Sequence, residues 1–147
     1  MTLPGGSLAE IVSSSPEETM ALGERIARRL DRGSVVALRG GLGAGKTCLT
    51  KGIARGLGID ETITSPTYTI ISEYQGRLPL YHVDAYRLEG DEDFENLGGE
   101  ELLYGGGVSV IEWSERIPRS LPENTIGIEI VISGGGRRII RISGITL

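Results

Sequence analysis

Apolar positions change their spacing segment by segment along the chain, and the changes predict an alternation of strands and helices. Residues 8–12, Leu-Ala-Glu-Ile-Val, form a short apolar stretch that predicts an edge strand. A helix start follows. Ser15 has the side chain of an N-cap, Pro16 suits the first helical position, and Glu18 completes a Ser-x-x-Glu capping box. Leu22, Ile26 and Leu30 then recur every four residues with Gly23 and Ala27 on the same face. Arg25, Arg28, Arg29 and Arg32 lie mainly off that face and read as a solvated surface, with Gly33 ending the helix. Residues 34–39, Ser-Val-Val-Ala-Leu-Arg, lose the helical period and carry the β-branched apolar run of a buried strand. The four-residue spacing returns at Leu49, Ile53 and Leu57, and Gly58 supplies a C-terminal stop.

The second half is richer in strands. After a loop at 59–64, residues 69–74 and 78–84 predict two strands joined by Gln75-Gly76-Arg77, a connection short enough for an antiparallel hairpin. Residues 89–103 are acidic and partly helical in pattern, anchored by Phe94, Leu97, Leu102 and Leu103. A strand at 108–112 and a short helix at 114–118 follow. Residues 124–133 and 137–143 then predict a closing hairpin with its turn at 133–136, where Ile126, Ile128, Ile130 and Ile132 mark one buried face. The expected fold is α/β and P-loop NTPase-like: a mixed central sheet with helices on both faces and antiparallel hairpins, in one domain spanning all 147 residues.

Composition narrows the function classes. A net charge of −5 argues against the broad basic surface that autonomous nucleic-acid binding needs, so any RNA is expected to be held by a partner. No apolar run approaches the roughly 20 residues of a membrane span and no signal-peptide layout opens the chain; both predict a cytoplasmic protein without membrane contact. The single cysteine, Cys48, cannot form an internal disulfide. Internal repeats, heptads, zinc-ligand spacing and a Ser/His/Asp signature are all missing from the sequence.

One stretch carries strong chemistry. Residues 40–47 read Gly-Gly-Leu-Gly-Ala-Gly-Lys-Thr, which fits the pattern of Gly, four free positions, Gly, Lys, then Ser or Thr. Glycine-rich backbone lets consecutive N–H groups of Gly41, Leu42, Gly43, Ala44 and Gly45 turn inward around a polyphosphate. The following helix, which begins with Lys46, Thr47 and Cys48, adds its positive dipole end. Lys46 is placed to reach β- and γ-phosphates, and the Thr47 hydroxyl to bind the Mg²⁺ that accompanies ATP. Third-glycine spacing for a dinucleotide fingerprint fails, because position 46 is lysine. Cys48 sits where a helix dipole lowers a thiol pKa, yet a small space-filling side chain is the simpler account of it.

Two further strands end on acids. Leu80-Tyr81-His82-Val83-Asp84 and Val108-Ser109-Val110-Ile111-Glu112 suit a P-loop site, which uses one carboxylate near the metal and one near the attacking water. Strand alternation puts His82 on the face of Asp84, either to tune it or to satisfy a structural hydrogen bond. Trp113 follows Glu112 directly and reads as either a core aromatic or a site residue. Ser65-Pro66-Thr67-Tyr68 lies about twenty residues past the loop, where nucleotide switches place a γ-phosphate sensor, although Ser-Pro-Thr also commonly opens a strand.

Taken together, the loop at 40–47, Ser65 to Tyr68, His82-Val83-Asp84-Ala85-Tyr86-Arg87, and Val110-Ile111-Glu112-Trp113 with Glu115-Arg116 closely resemble the bacterial TsaE (YjeE) family. That family is the ATPase component of tRNA threonylcarbamoyladenosine biosynthesis. The resemblance implies a weak, partner-dependent ATPase required for threonylcarbamoylation of adenosine in tRNAs that read ANN codons. It implies TsaB- and TsaD-type partners, with tRNA reached only through their complex. It implies Lys46 on phosphate, Thr47 and Glu112 at Mg²⁺, Asp84 in hydrolysis, Glu115 among the ATP-binding residues, and Trp113 beside the site. Ser65, Thr67 and Tyr68 become a switch coupled to the partner, and the adenine is expected near Ser15 and Arg138. Two departures stand out: family loops usually carry an acid where this chain has Gly41, and often a threonine where it has Cys48. Two other readings of the same loop are a small-molecule kinase and a non-hydrolysing nucleotide-gated binding module.

Overall fold

The apolar run at 34–39 becomes β4 (Val35–Gly40), a central strand of a seven-stranded sheet. The structure is a computed structural model and describes residues 2–3, 6–41, 43–63 and 70–147. Before β4 come β1 (Thr2–Leu3), β2 (Gly6–Ser7), β3 (Ala9–Ser13) and α1 (Pro16–Ala27). After it come α2 (Lys46–Gly56), β5 (Ile71–Tyr74), β6 (Leu80–Asp84), α3 (Asp91–Asn96), α4 (Gly99–Leu103) and β7 (Val108–Glu112). A 3₁₀ turn at Ser114–Arg116, then β8 (Ile126–Gly134) and β9 (Arg137–Ser143), complete the order.

Strand order is β3-β9-β8-β4-β7-β6-β5, with β1 and β2 forming a separate antiparallel pair. Strand β4 runs parallel to β7 and β8, and β6 runs parallel to β7, whereas the β3–β9, β8–β9 and β5–β6 pairings are antiparallel. The sheet is therefore mixed, with a parallel centre. In parallel sheets every carboxyl end points the same way, which gathers the loops after β4, β6 and β7 at one edge.

Alternation along the central strands feeds two cores. Val36 and Leu38 of β4, Val108 and Val110 of β7, and Ile128 and Ile130 of β8 pack with Leu22 and Ile26 of α1 and Leu49 and Ile53 of α2. On the other face Val35, Val83 and Ile111 meet Phe94, Leu103 and Ile117. Helices cover both faces, as the pattern predicts. Helix α1 begins as its sequence signals: Ser15 Oγ accepts from the Glu18 N–H at 3.1 Å. The return arm differs, since the Glu18 carboxylate accepts from the Ser14 N–H at 2.6 Å, one residue before the cap.

Three expectations need correction. Helix α1 ends at Ala27 and not near Gly33, because Arg29 and Leu30 N–H groups bond three residues back, to Ile26 and Ala27, and tighten the chain out of the α geometry. Leu97 is no anchor; it follows α3 and is exposed while Phe94 fills the core. Ile132 leaves the buried row of Ile126, Ile128 and Ile130: it keeps their register, but toward the hairpin turn its partner across the pair is Arg138 in place of Ile140 or Ile142, and it is exposed. The first residues of the strand predicted at 69–74 lie partly outside the described residues, and β5 is described from Ile71. Among the described residues no helix is long and apolar enough to cross a membrane.

Helices α1 and α2 cross almost backbone to backbone. A Cβ on Gly52 would collide with the Met20 carbonyl of α1, so this close approach depends on glycine. Gly52→Ala should destabilise the protein by about 1–3 kcal/mol, the usual range for overpacking, read as a lowered Tm. An unchanged Tm would show that the two helices separate freely.

Candidate nucleotide site

The loop at 40–47 is shaped from both ends. At Gly40 a Cβ would stand 2.7 Å from the Ile130 carbonyl oxygen of β8, so only glycine lets β4 leave the sheet at that point. At its far end Gly45 takes φ +112, a left-handed conformation, and caps α2. Between them the Ala44 N–H closes a turn onto the Gly41 carbonyl at 3.2 Å.

Lys46 is drawn inward. Only 6% exposed, it donates from Nζ to the Gly40 carbonyl at 2.7 Å, and its Nζ lies 3.6 Å from the centroid of the Trp113 ring. Burial lowers its pKa below the ordinary lysine value, outweighing the upward pull of Glu112, Glu115 and Asp84. Trp113 reaches this position through strained backbone. Its φ of 59 turns the chain sharply after β7, and Ser114 Oγ fixes the turn by donating to the Leu38 carbonyl at 3.1 Å.

The two acids meet through sheet register. Asp84 and Glu112 are direct partners at the carboxyl ends of β6 and β7, and Glu112 also neighbours Leu38 of β4. His82, fully buried, bonds through Nε2 to Glu112 Oε2 at 2.5 Å, while its Nδ1 is buried without a hydrogen-bond partner among the described residues. Asp84 Oδ1 accepts from the Tyr86 N–H at 3.0 Å. The Tyr86 ring lies 4.9 Å from that of Trp113, tilted by 53°. A cleft of about 400 Å³ results, lined by Gly43, Ala44, Gly45, Lys46, Thr47, Cys48, Asp84, Tyr86, Glu112 and Trp113.

Other sequence-selected residues fall around this cleft. Cys48 Sγ donates to the Pro16 carbonyl at 3.2 Å, which ties α2 to the start of α1 and brings the Ser15 cap close to the loop helix. Burial pushes the Cys48 thiol above its ordinary pKa, which favours the neutral thiol over the reactive thiolate. Glu115 is exposed just past the cleft and acts on Lys46 through charge. Arg138 reaches the loop backbone from β9: Nε donates to the Ala44 carbonyl at 3.0 Å and Nη2 to the Gly43 carbonyl at 3.3 Å. Leu42, Ser65, Thr67 and Tyr68 lie outside the described residues.

Sequence reasoning underrated His82 and Tyr86. Alternation put His82 on the correct face, but its bond to Glu112 and not Asp84 depends on how β6 and β7 align, which no spacing within one strand reveals. Tyr86 is visible only as a neighbour of Asp84 until the turn at Trp113 closes over it.

Gly41 is exposed, a Cβ there would meet nothing within 4 Å, and its backbone is not left-handed. Gly41→Glu should therefore fold with Tm within about 2 °C of the parent, as for surface substitutions. Any change in hydrolysis then reports the added charge and not misfolding. A large fall in Tm would mean that the loop depends on glycine at this position too.

A glycine loop between a central parallel strand and a helix, faced by two strand-end carboxylates, defines a P-loop NTPase-like fold. Within that class the chain belongs to the TsaE family: the family model for Threonylcarbamoyl adenosine biosynthesis protein TsaE matches residues 13–140. It is 51% identical over 132 residues to the tRNA threonylcarbamoyladenosine biosynthesis protein TsaE of Treponema pallidum, covering 90% of this chain and 98% of that protein. To the protein of the same name from Bacillus subtilis it is 45% identical over 132 residues, covering 89% and 82%. The crystal structure of Bacillus subtilis YdiB superposes with a TM-score of 0.78 at 40% identity, covering 92% of this chain and 84% of that one.

Proposed function

We propose that this chain binds ATP with Mg²⁺ and hydrolyses it slowly as a component of threonylcarbamoyladenosine synthesis in tRNA, acting in the cytoplasm with TsaB- and TsaD-type partners. One observation carries the reading: Lys46, Thr47, Asp84 and Glu112, from three separate elements, line a single cleft at the carboxyl ends of adjacent parallel strands. The loop N–H groups and the α2 dipole favour a polyphosphate there. Lys46 exchanges its bond to the Gly40 carbonyl for phosphate oxygens, which turns a buried cost into a charge-assisted contact.

The donor set suits Mg²⁺. Among the described residues no three His, Cys, Asp or Glu side chains gather to hold a metal unaided. Magnesium usually takes one or two protein oxygens and completes its shell with phosphate and water, and the Thr47 hydroxyl with Glu112 supplies that number. When bound, the ion neutralises charge on the phosphate oxygens. His82 holds the Glu112 carboxylate by one oxygen, leaving the other for the metal. Asp84, beside it and less buried, is the carboxylate left to orient water. The family resemblance assigns the transfer to tRNA to the partners, and the acidic chain suits a tRNA reached through them. Ordering of the segment containing Ser65, Thr67 and Tyr68 by ATP, and its release on hydrolysis, would bias contact with them.

The test is ATP hydrolysis by the purified chain alone and with its own organism's TsaB- and TsaD-type proteins, alongside multiple-turnover modification of a cognate tRNA. The reading requires hydrolysis to rise with the partners and modification to depend on the chain. Nucleotide binding without either response would remove the tRNA role, and phosphate transfer to a metabolite in place of water would select the kinase reading.

A further inference from the structure

We infer that Arg138 is a positioning residue of the phosphate-binding loop, a clamp that fixes its backbone from behind; its effect on nucleotide rests on the function proposed above. Cβ atoms placed on Gly41, Gly43 or Gly45 would meet nothing within 4 Å, so no side chain at these positions anchors the loop, and Gly43 and Gly45 both adopt left-handed φ angles. Unpacked glycine backbone loses more conformational freedom on ordering than any other residue. A loop of this composition needs an external anchor if its N–H groups are to be aligned before phosphate arrives.

Arg138 supplies that anchor from more than ninety residues away in sequence. Strand β9 places it opposite Ile132 of β8 and Ser13 of β3. From there the guanidinium spends Nε on the Ala44 carbonyl and Nη2 on the Gly43 carbonyl, while Nη1 donates to the Arg137 carbonyl and locks the fork's own orientation. In a planar trans peptide the C=O and the following N–H point in opposite directions. Pinning the Ala44 carbonyl outward therefore aims the Gly45 N–H inward, and pinning the Gly43 carbonyl holds the Ala44 N–H on its turn to Gly41. A lysine at 138 would keep the charge but could not fork two carbonyls.

Amide hydrogen exchange of the nucleotide-free protein tests the clamp directly. In Arg138→Gln, exchange at Ala44, whose N–H is bonded to Gly41, should rise about tenfold or more while the core amides of β4 and β8 stay unchanged. Arg138→Lys should behave like Arg138→Gln. Titration with ATP and with inorganic tripolyphosphate then reads the consequence: both variants should lose about tenfold affinity for both ligands, since the loop and not the base is affected. Unchanged loop exchange overturns the clamp. So does rescue of exchange by lysine, which would leave charge alone as the cause, or a rise spread over the whole hairpin, which would make Arg138 a general structural residue. A loss confined to ATP also overturns it and makes Arg138 a base contact. If loop exchange rises as expected but the wild-type protein binds neither ligand, the clamp stands and the proposed function falls.

Discussion

Lys46→Ala is expected to lower ATP affinity by about a hundredfold and to bring hydrolysis to background. Charge-assisted hydrogen bonds contribute about 1.5–3 kcal/mol each, so losing one such contact to phosphate corresponds to roughly ten- to a hundredfold in affinity. In the unliganded protein burial lowers the Lys46 pKa despite three acids pulling it up, so desolvation of the charge opposes its placement here. Lys46→Met, which keeps the stem and removes the charge, should therefore fold with an unchanged or higher Tm while binding ATP as poorly as alanine. Intrinsic fluorescence offers the measurement: Trp113 is the chain's only tryptophan and its ring faces Lys46 Nζ, so emission reports this site alone. A Lys46→Met protein that still binds ATP at parental affinity would move phosphate recognition entirely to the backbone.

Legibility in the sequence follows the range of the interactions concerned. The loop at 40–47, the cap at Ser15 and the strand-ending acids are written in contiguous residues, and the elements they announce form at those places. The hairpin of β5 and β6 is similarly local, since its short connection fixes an antiparallel return. What the sequence did not disclose is set by pairings between distant strands. Glu112 meets Asp84 only because β6 and β7 align as they do, and His82 reaches Glu112 by the same alignment. Arg138 enters the sequence reading only through the family resemblance, as a residue near adenine, and its place behind the loop follows from β9 lying next to β3 and β8. Trp113 shows a third kind of gap: nothing in its neighbours requires a left-handed backbone, yet that single turn carries the indole from the end of β7 over Lys46.

Glu112→Gln is expected to cut hydrolysis by about 10²–10³-fold while leaving Mg²⁺-free ATP binding near the parental value. The substitution preserves the size of the side chain and an oxygen able to accept from His82 Nε2–H, so the buried pair stays packed. What it removes is negative charge at the position where β7, β6 and β4 converge. Losses of this size are typical when one group aimed at the reacting charge is deleted. Titrating Mg²⁺ reads the loss: weakened metal coordination shifts the concentration needed for half-maximal hydrolysis. Asp84→Asn provides the comparison at the neighbouring strand end, with a lower plateau and little shift expected from a carboxylate that acts on water. If both carboxylate variants lose hydrolysis yet sustain tRNA modification, while Lys46→Ala sustains none, the site is a nucleotide-gated contact that does not need turnover. Loss of modification in all three would instead tie each round of modification to hydrolysis at this cleft.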